Sequence, residues 1–220
     1  MIKAIIFDMD GVLFDSQPIH FEAEKRTVAH FGGKISDDEL KGYLGWNEEA
    51  FWKDVIPKYG MDATLEQCRA FERPLLEGLL ERALKPDPKL RKILKELRRS
   101  GIQLAVASSA PKKWILMTFG GLGVDDLFDC LVSGEDVEKS KPEPDIFLEA
   151  AKRIGIAPED CIVVEDAPAG IEAAKRAGMH PIALRGTVNK GLDLSGAERE
   201  ITDLSELMEI AGIFSEKPGV

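Results

Sequence analysis

The sequence predicts an α/β fold, a doubly wound parallel sheet of Rossmann type with an inserted all-helical domain. Three observations carry this. Short apolar runs bounded by turn residues recur along the chain, each read as a strand buried on both faces. Helical patterns that end in glycine lie between them. The stretch 16–85 breaks this alternation and contains no convincing strand.

The first apolar run, Ile2–Phe7, stops at acidic residues. Ile102–Ala107, Cys130–Val132, Cys161–Val164 and Pro181–Leu184 read the same way. A helix over Pro88–Arg99 has Asp87 to cap it, Pro88 at its first position and Gly101 beyond its end. Helices over Pro144–Ile154 and Pro168–Ala177 stop at Gly155 and Gly178. Gly120-Gly121-Leu122-Gly123 reads as a helix end and turn. Inside the insert, helices are expected near 17–31, 36–43, 47–59 and 64–83, with Ser36-Asp37-Asp38-Glu39 as a capping box. The expected domains are a core of 1–15 and 86–220 and a cap of 16–85, joined by hinges near 15–17 and 84–88. Little pattern follows Gly212.

Composition removes several function classes. Of 220 residues 44% are hydrophobic and 31% charged, which suffices for a real core. The net charge of −10 repels nucleic acid and anionic lipid, so neither is an expected partner. Cys68, Cys130 and Cys161 are far apart and form no Cys-x-x-Cys, which argues against a zinc site or a disulfide framework. The start lacks the pattern of a signal peptide and no run of about 18 apolar residues occurs, so the cytoplasm is the expected compartment. Asn and Gln are scarce beside many Glu, Lys and Arg, a bias that points to a heat-adapted, thermophilic source.

The chemistry gathers where ligands of an open α/β sheet bind, at the carboxyl ends of the strands. Those ends carry Asp8 and Asp10, Ser108, Lys141 after a short loop, and Glu165 with Asp166. A carboxylate can attack phosphorus once charge repulsion is removed. Mg²⁺ binds through one or two carboxylates, waters and a substrate phosphate, and Asp8 and Asp166 supply such carboxylates. Lys141 adds a fixed positive charge and Ser108 a hydroxyl donor for a phosphoryl oxygen, with Ser109 competing for that part. Asp10, two residues past Asp8, is suited to protonate a leaving oxygen and later deprotonate water. Blander readings stand beside these: Lys141 as a surface lysine, Ser108 as a helix cap, His20 as a solvated or core histidine. Arg69 and Arg73, four apart on one helix, could bind an anion or form a solvated face. Trp46, Phe51 and Trp52 read as cap core rather than a substrate platform.

Four motifs, taken together, resemble the haloacid dehalogenase superfamily: Asp8-Met9-Asp10-Gly11-Val12, Val106-Ala107-Ser108-Ser109, Lys141-Pro142, and Val164-Glu165-Asp166-Ala167-Pro168-Ala169-Gly170. Phe14-Asp15-Ser16 and Pro144-Asp145-Ile146-Phe147 match its usual flanks, and the helical insert resembles its C1 cap, in the subgroup of β-phosphoglucomutases and phosphoglycolate phosphatases. The resemblance implies an aspartyl-phosphate on Asp8 and Mg²⁺ held by Asp8, the carbonyl of Asp10 and Asp166, with Glu165 a ligand directly or through water. It implies a phosphatase for a small phosphorylated metabolite, with His20, Ser109 and Lys141 near the phosphate, and a monomer is the working expectation. A mutase is the alternative. Mutases of the subgroup carry an Arg in the cap where this chain has Glu48, within Gly45-Trp46-Asn47-Glu48-Glu49, and an acid there disfavours a second phosphate. A signalling receiver domain also holds an aspartyl-phosphate, but it lacks such an insert and its acceptor follows a later strand.

Overall fold

The computed structural model describes residues 1–44, 46, 48–187 and 189–215. Six parallel strands form one sheet in the order β3-β2-β1-β4-β5-β6. They are β1 Ala4–Phe7, β2 Gln103–Ser108, β3 Cys130–Ser133, β4 Cys161–Glu165, β5 His180–Leu184 and β6 Arg199–Ile201. β1 is central and wholly buried, which is why its run is apolar on both faces. On one face Ala4 and Ile6 pack with Ile146, Phe147, Ala150, Ala173 and Ala174. On the other, the Phe7 ring meets Phe128 edge-on at 6.2 Å, and Phe128 stacks on Phe119 at 4.8 Å.

The chain divides into two compact units, 1–15 with 85–220, and 16–84. The first holds the sheet. Its helices are α5 Pro88–Arg99, α6 Lys112–Leu122, α7 Asp145–Ile154, α8 Pro168–Arg176 and α9 Leu207–Ser215. α5 buries Leu90, Ile93, Leu94 and Leu97, the spacing of one helical face, and the Asp87 carboxylate accepts a bond from Leu90 N. The second unit contains α1 Gln17–His30, α2 Asp37–Lys41, α3 Glu48–Lys58 and α4 Leu65–Ala83. Ser36 with Glu39 and Thr64 with Gln67 form reciprocal caps at the starts of α2 and α4. Val28, Leu40, Phe51, Trp52, Val55 and Cys68 make its core. Trp46 departs from its expected place: it is 51% exposed and stands edge-on to Tyr43.

Two elements were not legible. β6 is three residues long with Arg199 and Glu200 exposed, too short for an alternation to register. α9 begins at Leu207, with Leu207 and Ile210 fully buried, behind a turn capped by Asp203 and Glu206. Gly45 and Asn47, part of the cap turn compared above, lie outside the described residues.

Candidate active site

Sheet register alone brings the first acids together. Phe7 is level with Val106 on β2 and with Val164 on β4, so Asp8 stands at the same edge as Ser108 and Glu165. The Asp8 amide donates to Val164 O at 2.9 Å, which extends the ladder one residue into the site. The chain then turns sharply. Gly11 N donates to Phe14 O and Phe14 N to Met9 O, with Gly11 at φ +79°. Asp10 sits in this turn, bridged to Phe14.

Lys141 reaches in from the segment between β3 and α7; the peptide bond to Pro142 is cis. Its ammonium donates to Asp8 Oδ1 at 2.5 Å, Glu165 Oε1 at 2.7 Å and Ala107 O at 3.3 Å, so all three protons are engaged. It also lies 4.8 Å from the centre of the Phe147 ring. Glu165 is 2% exposed, and its second oxygen accepts from the amides of Asp166 and Ala167, donors otherwise orphaned at the start of α8. Glu165 thus orients Lys141 and the start of α8 through both oxygens, and Oε1, with one recorded donor, keeps a lone pair.

Two glycines exist for these acids. A Cβ on Gly170 would fall 1.7 Å from Glu165 Oε1, and one on Gly11 would fall 2.1 Å from Asp166 Oδ2. The Asp166 carboxylate therefore rests on the turn that carries Asp10. Ser108 is fully buried, its hydroxyl accepting from Ala110 N at 3.1 Å, which is a local turn of the kind a capping serine makes. Ser109 is exposed, and its carbonyl lies where a Cβ on Gly134 would be 2.6 Å away. His20 is on the first turn of α1, in the helical unit.

Burial pushes the Asp8 carboxyl well above its usual range, opposed by Lys141 and reinforced by Glu165 and Asp10. Burial and then the charge of Glu165 raise Asp166 to about 7. Lys141 is desolvated too, but Asp8 and Glu165 outweigh this and hold it cationic. Four carboxyl groups thus lie near one ammonium, an excess of negative charge that a bound dication would reduce. Among the described residues no three His, Cys, Asp or Glu side chains are grouped to hold a metal. The implied set needs only the carboxylates of Asp8 and Asp166 with the main-chain carbonyl of Asp10. Hard oxygen donors of this kind fit Mg²⁺, which keeps several waters.

In the helical unit Glu48 Oε2 accepts from Arg69 Nε at 3.0 Å. The pair compensates itself: the acid expected to repel a second phosphate is paired, and the cation that could bind an anion or form a solvated face is engaged.

The sequence pattern described as haloacid dehalogenase-like hydrolase matches residues 5–184. The chain belongs to the haloacid dehalogenase-like hydrolases. It is therefore an enzyme, and it is similar to relatives of two named activities. It is 30% identical over 217 residues to the phosphorylated carbohydrates phosphatase of Thermotoga maritima, covering 99% of this chain and 95% of that one. It is 32% identical over 218 residues to the β-phosphoglucomutase of Bacillus subtilis, covering 94% and 92%. A crystal structure of CbbY from Rhodobacter sphaeroides in complex with phosphate superposes with a TM-score of 0.81 at 25% identity, covering 94% of this chain and 96% of that one. The parallel six-stranded sheet matches the fold of these hydrolases. Among the described residues no helix is long and apolar enough to cross a membrane.

One residue at the site's edge escaped the sequence reading. Asn189 is 4% exposed and donates to the carbonyl of Asp166. Its signal was available, since the chain has only two asparagines.

Proposed function

We propose that this hydrolase is a phosphatase for a small phosphorylated carbohydrate or related monoester, working through a phosphoryl group carried on Asp8. The observation that carries the reading is the Asp8 carboxylate held 2.5 Å from Lys141 Nζ, with Asp166 and the Asp10 turn beside it. The relative named phosphorylated carbohydrates phosphatase supports the substrate class.

Asp8 attacks phosphorus, and the bond to the leaving oxygen breaks as Asp10 gives that oxygen a proton. The Lys141 ammonium offsets the charge that spreads over the phosphoryl oxygens, and the Ser108 hydroxyl donates to one of them. Asp10, now ionised, takes a proton from water, whose oxygen bonds to phosphorus as the bond from phosphorus to the Asp8 oxygen breaks, releasing phosphate and regenerating Asp8. Mg²⁺, held by Asp8, the Asp10 carbonyl and Asp166, would supply charge neutralisation between nucleophile and phosphate. Mutase chemistry needs a cationic grip for a second phosphate. The Glu48–Arg69 pair leaves no full charge for that purpose, which favours transfer to water.

The test separates the two aspartates. Asp8→Asn should abolish turnover, while Asp10→Asn should cost about 10²–10⁴-fold with an ordinary sugar phosphate. With an aryl phosphate, whose leaving group needs no proton, Asp10→Asn should accumulate one phosphoryl adduct, seen by intact mass after acid quench. An adduct on the Asp8→Asn protein instead would overturn the assignment of the nucleophile.

A further inference from the structure

The segment after β5 is organised around one buried amide. Asn189 Nδ2 donates to Asp166 O and to Leu184 O, both at 2.9 Å, and its Oδ1 accepts from Gly186 N at 2.8 Å. Both amide protons and the amide oxygen are engaged in a nearly solvent-free position. The main-chain oxygen of Asn189 accepts from Arg185 at 2.8 Å and from Leu192 N at 3.0 Å, and Arg185 is tied to Glu200 on β6 at 2.7 Å. The amide is thus anchored from its own side before it reaches across to β4.

Its target is the carbonyl of Asp166, in the peptide that follows that side chain. The Asp166 N–H is taken by Glu165 Oε2 at 2.8 Å, and its carbonyl is taken by Asn189. A residue gripped at N–H and C=O keeps its Cα–Cβ direction, and here that direction lays the carboxylate against Gly11 Cα. Displacing a ligand by even a fraction of an ångström matters for Mg²⁺, which demands near-ideal octahedral geometry.

We propose that Asn189 is a positioning residue, which fixes the Asp166 peptide and thereby the metal-facing carboxylate. This rests on the metal-assisted reading given above. An amide suits the task because it donates twice to two carbonyls while accepting once. An aspartate of the same shape would set an acceptor against both carbonyls, and an alanine would leave them unpaired.

The experiment measures Mn²⁺ affinity directly, from free Mn²⁺ by electron paramagnetic resonance on the full-length protein, with no substrate present. Asn189→Asp and Asn189→Ala should weaken binding by about 10–100-fold, the usual consequence of removing an outer partner of a metal ligand. Leu194→Ala is the control: this residue is 3% exposed and packs in an apolar cluster with Ile171 and Ala183 in the same region. It should lower the melting temperature and leave Mn²⁺ affinity within about threefold, because only packing is lost. Should the first two variants fail to fold, Asn189→Ser, which retains one hydroxyl donor, should still bind Mn²⁺ more than about threefold more weakly than the unaltered protein. Asn189 variants that bind as tightly as the parent overturn the inference, as does Leu194→Ala losing affinity equally. A parent protein that takes up no Mn²⁺ instead overturns the metal-assisted reading, and so the two failures are distinct.

Discussion

In the sheet-bearing unit the buried carboxylates Asp8 and Glu165 share one ammonium, whereas in the helical unit the buried Glu72 lies within electrostatic reach of a second acid, Glu24. Glu165 receives two backbone amides besides Lys141. Glu72 receives the Trp52 indole N–H at 3.3 Å. Burial, with Glu72 adding to it, pushes Glu24 up to about 8, and burial pushes Glu72 up to about 7. In the sheet-bearing unit burial raises Asp8 and Asp166 as well, but there a buried ammonium, Lys141, opposes the shift. In the helical unit the first opposing contribution to Glu72 is the Trp52 hydrogen bond, and the stability of that unit becomes pH-dependent.

The contrast breaks most sharply at Lys141. Lys141→Met leaves Asp8 and Glu165 buried and unpaired. We expect kcat/KM to fall by about 10³-fold or more, with a loss of about 3–5 kcal/mol in denaturant unfolding. A variant of near-parental activity would show that the ammonium only fills space.

Gly170→Ala tests whether the position of Glu165 matters as well as its charge. The added methyl would meet the Glu165 carboxylate at 1.7 Å and must displace it, moving Lys141 in turn. A displacement of about 1 Å is worth about 10²-fold in rate. Steady-state kinetics with the cap helices unchanged by circular dichroism would show it, and full activity would mean that Glu165 can shift freely.

Glu72→Gln sharpens the other half of the comparison. Both glutamates ordinarily titrate at 4.5. Between that value and about 8 the folded unit retains protons that the unfolded chain has released, so stability falls as pH rises through the window and is level above it. The Gln variant should melt several degrees above the parent at about pH 8.5 and show no such gain at about pH 4.5. Equal shifts at both values would exclude titration as the cause.

The smallest effect belongs to the Glu48–Arg69 pair, which is partly solvated at 41% and 28% side-chain exposure. Arg69→Ala should cost at most about 1 kcal/mol of stability. It should leave KM for a sugar monophosphate within about threefold, since its charge is already paired with Glu48. A tenfold rise in KM would place Arg69 in substrate binding after all.

Much was legible because it is local. Apolar runs marked β1 through β5, as their burial on both faces requires, and Asp87-Pro88 with Gly101 bounded α5 to the residue. The acids at strand ends could be listed in order because a parallel sheet places all carboxyl ends on one edge. What escaped was non-local or too short. β6 is recruited by pairing with Leu184's strand rather than by its own pattern, and α9 is held by burying Leu207 and Ile210.

The sequence by itself determined which residue types meet at the site, since composition at strand ends and the order of the motifs need no coordinates. Only the tertiary structure decided how they divide the work. Glu165 is spent on Lys141 and two amides, Arg69 is spent on Glu48, and Asn189 holds a carbonyl 23 positions away. The reason is physical: a side chain's chemistry is encoded in its identity, but its available lone pairs and protons depend on which partners packing has already placed against it.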